Sequence, residues 1–348
     1  MNLVRTTLRS PLKLALLALL GLAAMLAAGL AGRWSPWLDA FSHFRVHFAV
    51  AAALLSLALL ATRFRLVAAS VLVLAIACLS TVPGARAWLG LSPVQAGLEP
   101  RAEDQPIYRL LQLNLRFNNP TPEKVLSLIG RTRPDIITLQ EATPEWRARF
   151  QSLAHAYPHQ IYCESIFGSA ILSRRPLAEG TWAQCHTFGT LATATVDFGG
   201  RSVDVASIHM GWPWPRQQTW QIRAISKPLA ALADTAIMGG DCNAAPWSAA
   251  VSHIARHGGL TVMPSVGPTW LWRRLPDALR FAGLPIDHVF SKGDVVVHSA
   301  SKMAPAGSDH LPILVEFSLR PRPSEPLENA ETATAAAETT AAAGATGG

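Results

Sequence analysis

The feature that most constrains the fold is a set of three long apolar stretches, all of which precede residue 83. They occupy about residues 14–32, 46–62 and 66–82, and they account for much of the 50% of the chain that is hydrophobic. A helix of about 20 apolar residues spans a bilayer. The stretches have no polar face, which disfavours the alternative of a buried helix bundle in a soluble protein. The sequence therefore predicts an N-terminal membrane anchor, residues 1–82, with three transmembrane helices.

Basic residues predict how this anchor is oriented. They are concentrated before the first stretch and in the short turn between the second and third, as is typical of cytoplasmic segments. The residues concerned are Arg5, Arg9, Lys13, Arg63 and Arg65, against Arg33, Asp39 and Arg45 in the intervening loop. We expect a multi-pass protein of the bacterial inner (cytoplasmic) membrane, with all later residues on the extracytoplasmic, periplasmic side. If the first stretch were instead a cleaved signal peptide, the remaining hairpin would leave the later residues on that same side.

The remainder of the chain divides by composition. Residues 83–105, which contain several Pro, Gly and Ala, are predicted to be a linker, and residues 106–319 a globular domain. Residues 320–348 are rich first in Pro and then in Ala, Thr, Gly and Glu, which predicts a disordered tail. The globular part carries 19 Lys and Arg against 15 Asp and Glu. That excess suits a phosphate-bearing or otherwise anionic partner, but it is too small to identify a nucleic-acid-binding protein.

The globular part reads as an α/β domain in which short strands predominate after residue 158. Two β-rich sheets flanked by helices are expected, which is a two-sheet α/β sandwich. Strands are predicted at 108–117, 135–140, 159–163, 169–173, 181–186, 192–198, 202–209, 235–238, 287–290, 295–298 and 313–319. Helices are predicted at 122–133, 144–156, 215–232 and 247–257. Between two of the strands, Phe198-Gly199-Gly200-Arg201 is typical of a hairpin turn.

The segment Met238-Gly239-Gly240-Asp241-Cys242-Asn243 is the most informative short stretch. It closes an apolar strand, and the two glycines are expected to let the backbone turn sharply. Asp241 and Asn243 would then leave the sheet at one edge. A carboxylate beside an amide suits phosphoester hydrolysis, because one group takes a proton from water while the other contacts phosphoryl oxygens. The alternative is an Asx turn that caps the following helix.

Five further polar motifs end or follow predicted strands, in a fixed order along the chain. They are Gln112-Leu113-Asn114-Leu115-Arg116, Leu139-Gln140-Glu141-Ala142, Ser207-Ile208-His209-Met210, Pro285-Ile286-Asp287-His288-Val289 and Gly307-Ser308-Asp309-His310-Leu311-Pro312. With the Gly-Asp-x-Asn segment, this order resembles the endonuclease/exonuclease/phosphatase (DNase I-like) superfamily over roughly residues 106–319. The resemblance implies the DNase I-like two-sheet sandwich and hydrolysis of phosphate esters without a covalent intermediate.

The resemblance also implies a divalent metal, Mg²⁺ or Mn²⁺. Glu141 matches the metal-binding glutamate of the family, Asn114 the asparagine that helps to position metal and phosphate, and Asp309 an acidic residue near the metal. Oxygen ligands from one or two carboxylates are what Mg²⁺ prefers. Arg116 matches the DNase I-like members, whereas repair-type members tend to carry Asp there, so the resemblance does not imply a second metal ligand at this position.

The catalytic residues implied by the resemblance are His209, Asp241, Asn243, Asp287 and His310. His209 would face the scissile phosphate as a donor or acid to the leaving oxygen. His310 would contact the phosphate and be oriented by Asp287. Asp241 would orient or activate the attacking water, and Asn243 would contact the phosphate.

The substrate is less constrained than the chemistry. Trp212 and Trp214 follow His209, and Trp270 lies in a second Trp- and Arg-rich segment. With Arg116, we predict that these residues bind substrate. Tryptophan with arginine can stack nucleic-acid bases or lie at a membrane interface beside a lipid headgroup. Core packing is the alternative for Trp270.

The predicted membrane anchor favours a lipid headgroup over nucleic acid, because tethering presents lipid at high effective concentration. The layout is similar to that of VanJ-type bacterial membrane proteins associated with teicoplanin resistance, which implies a polyprenyl pyrophosphate carrier as one substrate. A membrane-anchored phosphoesterase acting on a lipid phosphate or pyrophosphate is therefore the leading hypothesis. A surface-tethered nuclease acting on DNA or RNA and a non-catalytic membrane scaffold are the alternatives, and no protein partner is evident.

The four cysteines do not form a metal-binding pattern. Cys78 lies in the third apolar stretch and Cys242 in the Gly-Asp-x-Asn segment. Cys163 and Cys185 remain, either as a disulfide in an oxidising compartment or as two unpaired buried thiols.

Overall fold

The computed structural model describes residues 2–82, 98–101, 105–165 and 168–321, with side chains from residue 11 onward. Most of the predicted linker and nearly all of the predicted tail lie outside these residues. The description therefore concerns an N-terminal helical part and the globular domain. Their helices are numbered α1 to α8 and their strands β1 to β12 in chain order.

The N-terminal part consists of four helices, α1 (Asn2–Leu30), α2 (Pro36–Ser42), α3 (Arg45–Leu59) and α4 (Arg65–Ser80). Within the described residues, one helical segment, Pro11–Leu30, is long and apolar enough to cross a membrane, with a mean hydropathy of 2.1. Helices α2 and α3 pass the same test only as a pair bent by 61°, and α4 is a shorter apolar helix. The structure thus supports one candidate span, or two with the bent pair, and the three-span anchor stays a prediction.

The globular domain contains two six-stranded mixed sheets. The first has the strand order β11-β12-β1-β2-β4-β3 and the second the order β5-β6-β7-β8-β10-β9. The strands of the first sheet are β1 (Tyr108–Asn114), β2 (Ile136–Gln140), β3 (His159–Tyr162), β4 (Ala170–Ser173), β11 (Val295–Lys302) and β12 (Ile313–Leu319). Those of the second are β5 (Gln184–His186), β6 (Leu191–Asp197), β7 (Ser202–His209), β8 (Ala236–Asp241), β9 (Thr261–Val262) and β10 (Asp287–Lys292).

Three apolar cores stack these elements into four layers. The inner faces of the two sheets share one core, which includes Leu110, Ile136, Val205, Ile237 and Phe317. Helices α5 (Pro122–Thr132) and α6 (Pro144–Phe150) cover the outer face of the first sheet. Helices α7 (Gln218–Ala230) and α8 (Ala249–Gly258) cover the second. This arrangement confirms the predicted two-sheet α/β sandwich.

The glycines before Asp241 have a different role from the predicted one. Both lie inside β8 rather than in a turn, so the expectation of a sharp turn there was wrong. A Cβ atom on Gly240 would lie 2.0 Å from the backbone oxygen of Ile208, and one on Gly239 would lie 2.5 Å from the Thr138 hydroxyl. Only glycine lets β7 and the facing sheet approach β8 this closely. The predicted hairpin at Phe198–Arg201 is confirmed, with positive φ at both of its glycines.

The segment between α1 and α3, which includes the short helix α2 and which we call the α1–α3 loop, is hydrogen-bonded to the globular domain. The Asp39 carboxylate accepts the first backbone N–H groups of α8, from Ala249 at 2.9 Å and Ala250 at 3.0 Å. Nδ1 of His43 accepts the N–H of Ala245 at 3.1 Å. An acidic side chain at a helix N-terminus satisfies unpaired N–H groups and interacts favourably with the helix dipole. The N-terminal part is therefore attached to the segment that directly follows Asn243.

Candidate active site

The strand pairing brings the polar motifs to one edge of the sandwich. Strands β1 and β2 are parallel, as are β7 and β8, so their carboxyl ends lie together. His209 pairs with Asp241 across β7 and β8, and Asp241 pairs with Asp287 across β8 and β10. Ligand sites in open α/β sheets lie at the carboxyl ends of strands, and this edge has that character. Six motifs that are up to about 200 residues apart in the sequence thus converge.

His310 is held by a buried carboxylate. Its Nδ1 lies 2.8 Å from Oδ2 of Asp287, and the other oxygen of that carboxylate accepts a hydrogen bond from Nε2 of Gln112 at 3.0 Å. Both His310 and Asp287 are almost fully buried. Because Nδ1 is occupied in this way, Nε2 is the ring nitrogen directed toward the rest of the site. The predicted orientation of His310 by Asp287 matches this geometry.

Asp241 lies between two imidazoles. Its Oδ2 is 3.7 Å from Nε2 of His209 and 3.7 Å from Nε2 of His310, and it accepts a hydrogen bond from Nδ2 of Asn114 at 3.0 Å. Its Oδ1 accepts the N–H of Asn243 at 2.8 Å, which is an Asx turn. The Asx turn of the alternative interpretation is therefore present, but Asp241 does not cap α8, because the side chain at the N-cap of that helix is Ser248. The catalytic interpretation of the segment stays a prediction.

Burial and neighbouring charges shift the pKa values of this group. Burial raises the pKa of Asp241 to about 6; the nearby imidazoles of His310 and His209 oppose that rise, and the Asp287 carboxylate adds to it. Burial alone would lower the pKa of His310, but the Asp287 and Asp241 carboxylates outweigh burial and raise it to about 10. At neutral pH His310 is consequently protonated, while Asp241 is mostly ionised with a pKa close enough to neutrality for proton transfer.

Glu141 and Asn243 have strained backbones at the same edge. Their φ angles are +56° and +46°, and Arg116 has a φ of +58°. Such left-handed conformations are uncommon outside glycine and cluster at functional sites. The strain at Glu141 is supported by two contacts of its carboxylate, which accepts the N–H of Phe117 at 2.7 Å and a hydrogen bond from Nδ2 of Asn114 at 3.3 Å.

The carboxylates at this edge fit a hard divalent ion. Glu141, Asp241 and Asp309 all line the same pocket, and carboxylate oxygens with water suffice for Mg²⁺. Asn114 donates from its amide nitrogen to Glu141 and Asp241, while its amide oxygen accepts the N–H of Arg116 at 3.0 Å. In this orientation Asn114 fixes the carboxylates, and the assignment of Asn114, Glu141 and Asp309 as metal residues stays a prediction.

A second group of possible ligand atoms lies deeper. One atom each from Asp241, Asp287 and His310 lie within 4.8 Å of one another. Both oxygens of Asp287 already accept hydrogen bonds, from Gln112 and His310. This trio therefore suits orientation of an imidazole better than it suits metal binding.

A pocket of about 540 Å³ opens over these groups. Of the predicted substrate residues, Trp212 and Trp270 line it, with their rings 5.5 Å apart. The indole N–H of Trp270 donates to Oδ2 of Asp309 at 3.3 Å, so Trp270 is more than core packing. Trp214 lines a different cavity, and Arg116 lies in a neighbouring groove that shares Asp309 with the pocket.

Sequence reasoning missed several residues that shape the pocket. Gln221 accepts the N–H of Gly211 at 2.6 Å and Gln218 donates to the oxygen of that same residue at 3.0 Å, which ties the Trp212 segment to α7. Phe188 and Trp220 line the mouth and are largely exposed. The uncharacteristic exposure of a large aromatic side chain is visible only in the structure. Gln112, by contrast, could have been found from the sequence. It lies two residues before Asn114 in the same predicted strand, and residues two apart in a strand lie on the same face.

The predicted alternatives for Cys163 and Cys185 are resolved in favour of a disulfide. This bond connects the end of β3 to β5 and so links the two sheets near the loop that carries Phe188. Cys78 and Cys242 are free and buried. A disulfide is typical of an oxidising compartment.

Comparison with known proteins agrees with this geometry. A profile of the endonuclease/exonuclease/phosphatase family matches residues 111–310. An endonuclease/exonuclease/phosphatase from Bacteroides vulgatus is 17% identical, with a TM-score of 0.52 over 62% of this chain and 100% of its own. D. rerio TDP2 humanized by 14 mutations is 18% identical, with a TM-score of 0.50 over 61% of this chain and 99% of its own. D. rerio TDP2 complexed with a single-strand DNA product is 17% identical, with a TM-score of 0.50 over 61% of this chain and 99% of its own. Comparison with curated protein sequences gave no match.

Proposed function

The chain belongs to the endonuclease/exonuclease/phosphatase family, and on that premise we propose that it is a membrane-anchored phosphoesterase that hydrolyses a lipid phosphate or pyrophosphate. The observation that carries the lipid assignment is the exposed aromatic rim of the catalytic pocket. Trp212, Trp220 and Phe188 line the mouth with side chains 48%, 54% and 86% exposed. Aromatic side chains of this kind lie at membrane interfaces.

The N-terminal helices support an apolar environment. Leu17, Leu54 and Val73 are each more than 60% exposed, on helices whose other faces pack together through small and branched residues. In water such a surface would be costly, at roughly 25 cal/mol per Å² of apolar area. Lipid removes that cost. The hydrogen bonds that Asp39 and His43 accept from backbone N–H groups of the domain would then fix the pocket at a set distance from the bilayer.

The proposed reaction is in-line attack of water on phosphorus. Asp241 takes a proton from that water, since its raised pKa suits a general base. Protonated His310, fixed by Asp287, donates a hydrogen bond from Nε2 to a phosphoryl oxygen as negative charge develops there. His209, on the opposite side of Asp241, donates to the leaving oxygen, and Asn243 contacts the phosphate.

A divalent ion, Mg²⁺ or Mn²⁺, would neutralise charge on the phosphoryl oxygens when bound. Glu141 and Asp309 are the carboxylates that would hold it, with Asn114 fixing Glu141 in place. The left-handed backbone conformations of Arg116, Glu141 and Asn243 keep these groups in position before the substrate arrives.

A tethered nuclease is the second candidate, and a specific groove favours it. Arg116, Lys124 and Arg273 line a groove that adjoins the catalytic pocket through Asp309. Such a groove could follow a phosphodiester backbone. It would equally receive the second phosphate of a lipid pyrophosphate. The complete set of polar groups at the sheet edge argues against the third candidate, a non-catalytic scaffold.

The deciding experiment offers both substrates to the same enzyme. The full-length protein, purified in detergent micelles with Mg²⁺, is incubated with plasmid DNA and with polyprenyl pyrophosphate in parallel. We expect phosphate release from the lipid, abolished in His310→Ala and in Glu141→Ala. Nicking of DNA that is lost in the same variants, without release from the lipid, would establish the nuclease instead.

A further inference from the structure

A second cavity, of about 400 Å³, lies between the α1–α3 loop and the globular domain. Residues from Gly32 to Asp39 form one wall, and residues of α7 and α8 form the other. The segment from Trp212 to Gln218 separates it from the catalytic pocket, since Trp214 lines this cavity while Trp212 lines the other. The cavity is thus a distinct site, built where the N-terminal part is attached to the domain.

Two arginine side chains line the cavity, together with two histidines. Arg33 enters from the loop and Arg223 from α7, and His253 and His257 lie on α8. In the described part of the chain, neither arginine forms an ion pair with a carboxylate. Two unpaired guanidinium groups beside one cavity favour an anionic ligand.

The only carboxylate in the described lining is already occupied. One oxygen of Asp39 accepts from the N–H of Ala249 and from the Ser42 hydroxyl, both at 2.9 Å. The other oxygen accepts the N–H of Ala250 at 3.0 Å. Asp39 is 6% exposed, so its charge is directed into α8 and its oxygens are not free to pair with the arginines. The cavity therefore remains electropositive.

Its mouth lies where a spanning helix would leave the bilayer. The apolar segment Pro11–Leu30 ends two residues before Gly32, and Trp34, which lines the cavity, is 72% exposed. The Arg33 guanidinium lies 5.2 Å from the ring centroid of Trp34. Tryptophan and arginine at the end of an apolar helix are typical of headgroup depth. The anion available at that depth is the phosphate of a lipid.

We propose that this cavity binds the phosphate of an anionic phospholipid headgroup, as a site separate from the catalytic pocket. Arg33 and Arg223 contact the phosphate from opposite walls, and guanidinium groups suit its geometry because they can donate two parallel hydrogen bonds. The bound headgroup would connect the α1–α3 loop to α7 and hold the domain on the membrane. The inference rests on the proposed function only in placing α1 in the bilayer.

The test measures lipid binding directly. The full chain in neutral maltoside micelles is titrated with phosphatidylglycerol or with phosphatidylcholine, and bound lipid is counted by native mass spectrometry. Arg33→Gln/Arg223→Gln is compared with the matched control Arg131→Gln/Arg149→Gln, which alters two exposed arginines of α5 and α6 far from the cavity. We expect saturable phosphatidylglycerol binding that weakens at least tenfold in the first variant and is unchanged in the control.

Three results would overturn the proposal. They are equal phosphatidylglycerol binding by both double variants, equal binding of phosphatidylcholine, and complete displacement of the lipid by millimolar inorganic phosphate, which would identify a free anion as the ligand. A thermal unfolding scan checks that Arg33→Gln/Arg223→Gln is folded. Lipid binding without hydrolysis of polyprenyl pyrophosphate would contradict the proposed substrate alone, and hydrolysis without this binding would contradict the cavity site alone.

Discussion

The pairing of His310 with Asp287 provides the sharpest prediction for a single residue. In Asp287→Asn the side chain keeps its size but loses the charge that holds the imidazole protonated and oriented. A protonated, oriented imidazole contributes to catalysis by roughly 10²- to 10⁴-fold, so kcat for phosphate release should fall by about that factor. Steady-state hydrolysis by the full chain measures it.

The control for this change is His298→Gln. His298 is also a buried histidine, but it lies in β11 and is hydrogen-bonded to Ser318, away from the pocket. It should leave kcat unchanged. Wild-type kcat in Asp287→Asn, with His298→Gln equally active, would show that His310 is not oriented by this carboxylate during the reaction.

Gly240 offers a matched pair of glycine substitutions. Gly240→Ala would place a methyl group 2.0 Å from the Ile208 oxygen, and overpacking of this kind costs about 1–3 kcal/mol or more. Gly130→Ala, on the exposed face of α5 with no atom within 4 Å of the new carbon, should instead stabilise by up to about 1 kcal/mol. Thermal unfolding should show a lower Tm for the first and an equal or higher Tm for the second. A shift in the same direction for both would refute the close-approach explanation.

At this scale the sequence indicated which polar residues would lie together at one edge of the sandwich, but not how they contact one another. Asp287, His310 and Asp241 were identified from ordered motifs, and the structure brings them together. The orientation of the Asn114 amide could not be read from the sequence, because it depends on the N–H of Arg116 in a left-handed conformation. The division of the tryptophans between two cavities depends equally on tertiary packing.

Among the secondary-structure elements, the attachment of the α1–α3 loop to α8 was the least predictable feature. Strands β7 and β12 have the predicted bounds, and most other elements differ from their predicted bounds by a few residues. Hydrophobic periodicity indicates that a helix or strand exists more reliably than it indicates where that element begins and ends. Asp39, however, appeared in the sequence only as a charge in a short loop. Its partners Ala249 and Ala250 are about 210 residues away, and alanine N–H groups leave no pattern in a sequence.

The same attachment predicts a pH dependence. Burial lowers the pKa of His43 to about 4, and Asp39 only partly opposes this. Because the folded pKa is below the usual value of 6.5, the attachment should be fully stable above pH 6.5 and weaken as the pH falls toward 4. The loss attributable to His43 is at most about 3 kcal/mol. Hydrogen exchange of residues 244–250, measured at pH 7 and pH 4.5 in the full chain, reports it.

His43→Asn is the control for this prediction, because it cannot be protonated in this range while its side-chain oxygen can still accept the N–H of Ala245. After division by the intrinsic exchange rates, protection of residues 244–250 should fall at pH 4.5 in the wild type and much less in the variant. An equal fall in both proteins would show that another group titrates.

For the whole molecule, the contacts of the loop constrain the topology. The loop from Gly32 to Phe44 and the globular domain are hydrogen-bonded to each other, so they must lie on the same side of any membrane. Helices α3 and α4 connect them, and two crossings return the chain to the side from which it started. If α1 also crosses, Arg63 in the α3–α4 turn lies with the N-terminus on the other side. The Cys163–Cys185 disulfide favours an oxidising exterior for the domain.

Single cysteines test this arrangement in spheroplasts. The native thiols give little background, since Cys78 and Cys242 are buried and the other two are bonded. Trp34→Cys in the loop and Ser152→Cys on the domain should both react with a membrane-impermeant maleimide in intact spheroplasts. Arg63→Cys should react only after permeabilisation, because two hydrophobic helices separate it from the exterior. Labelling of Arg63→Cys in intact spheroplasts would exclude the α3–α4 hairpin as a pair of membrane crossings, and labelling of Trp34→Cys without Ser152→Cys would contradict the attachment of the loop to the domain.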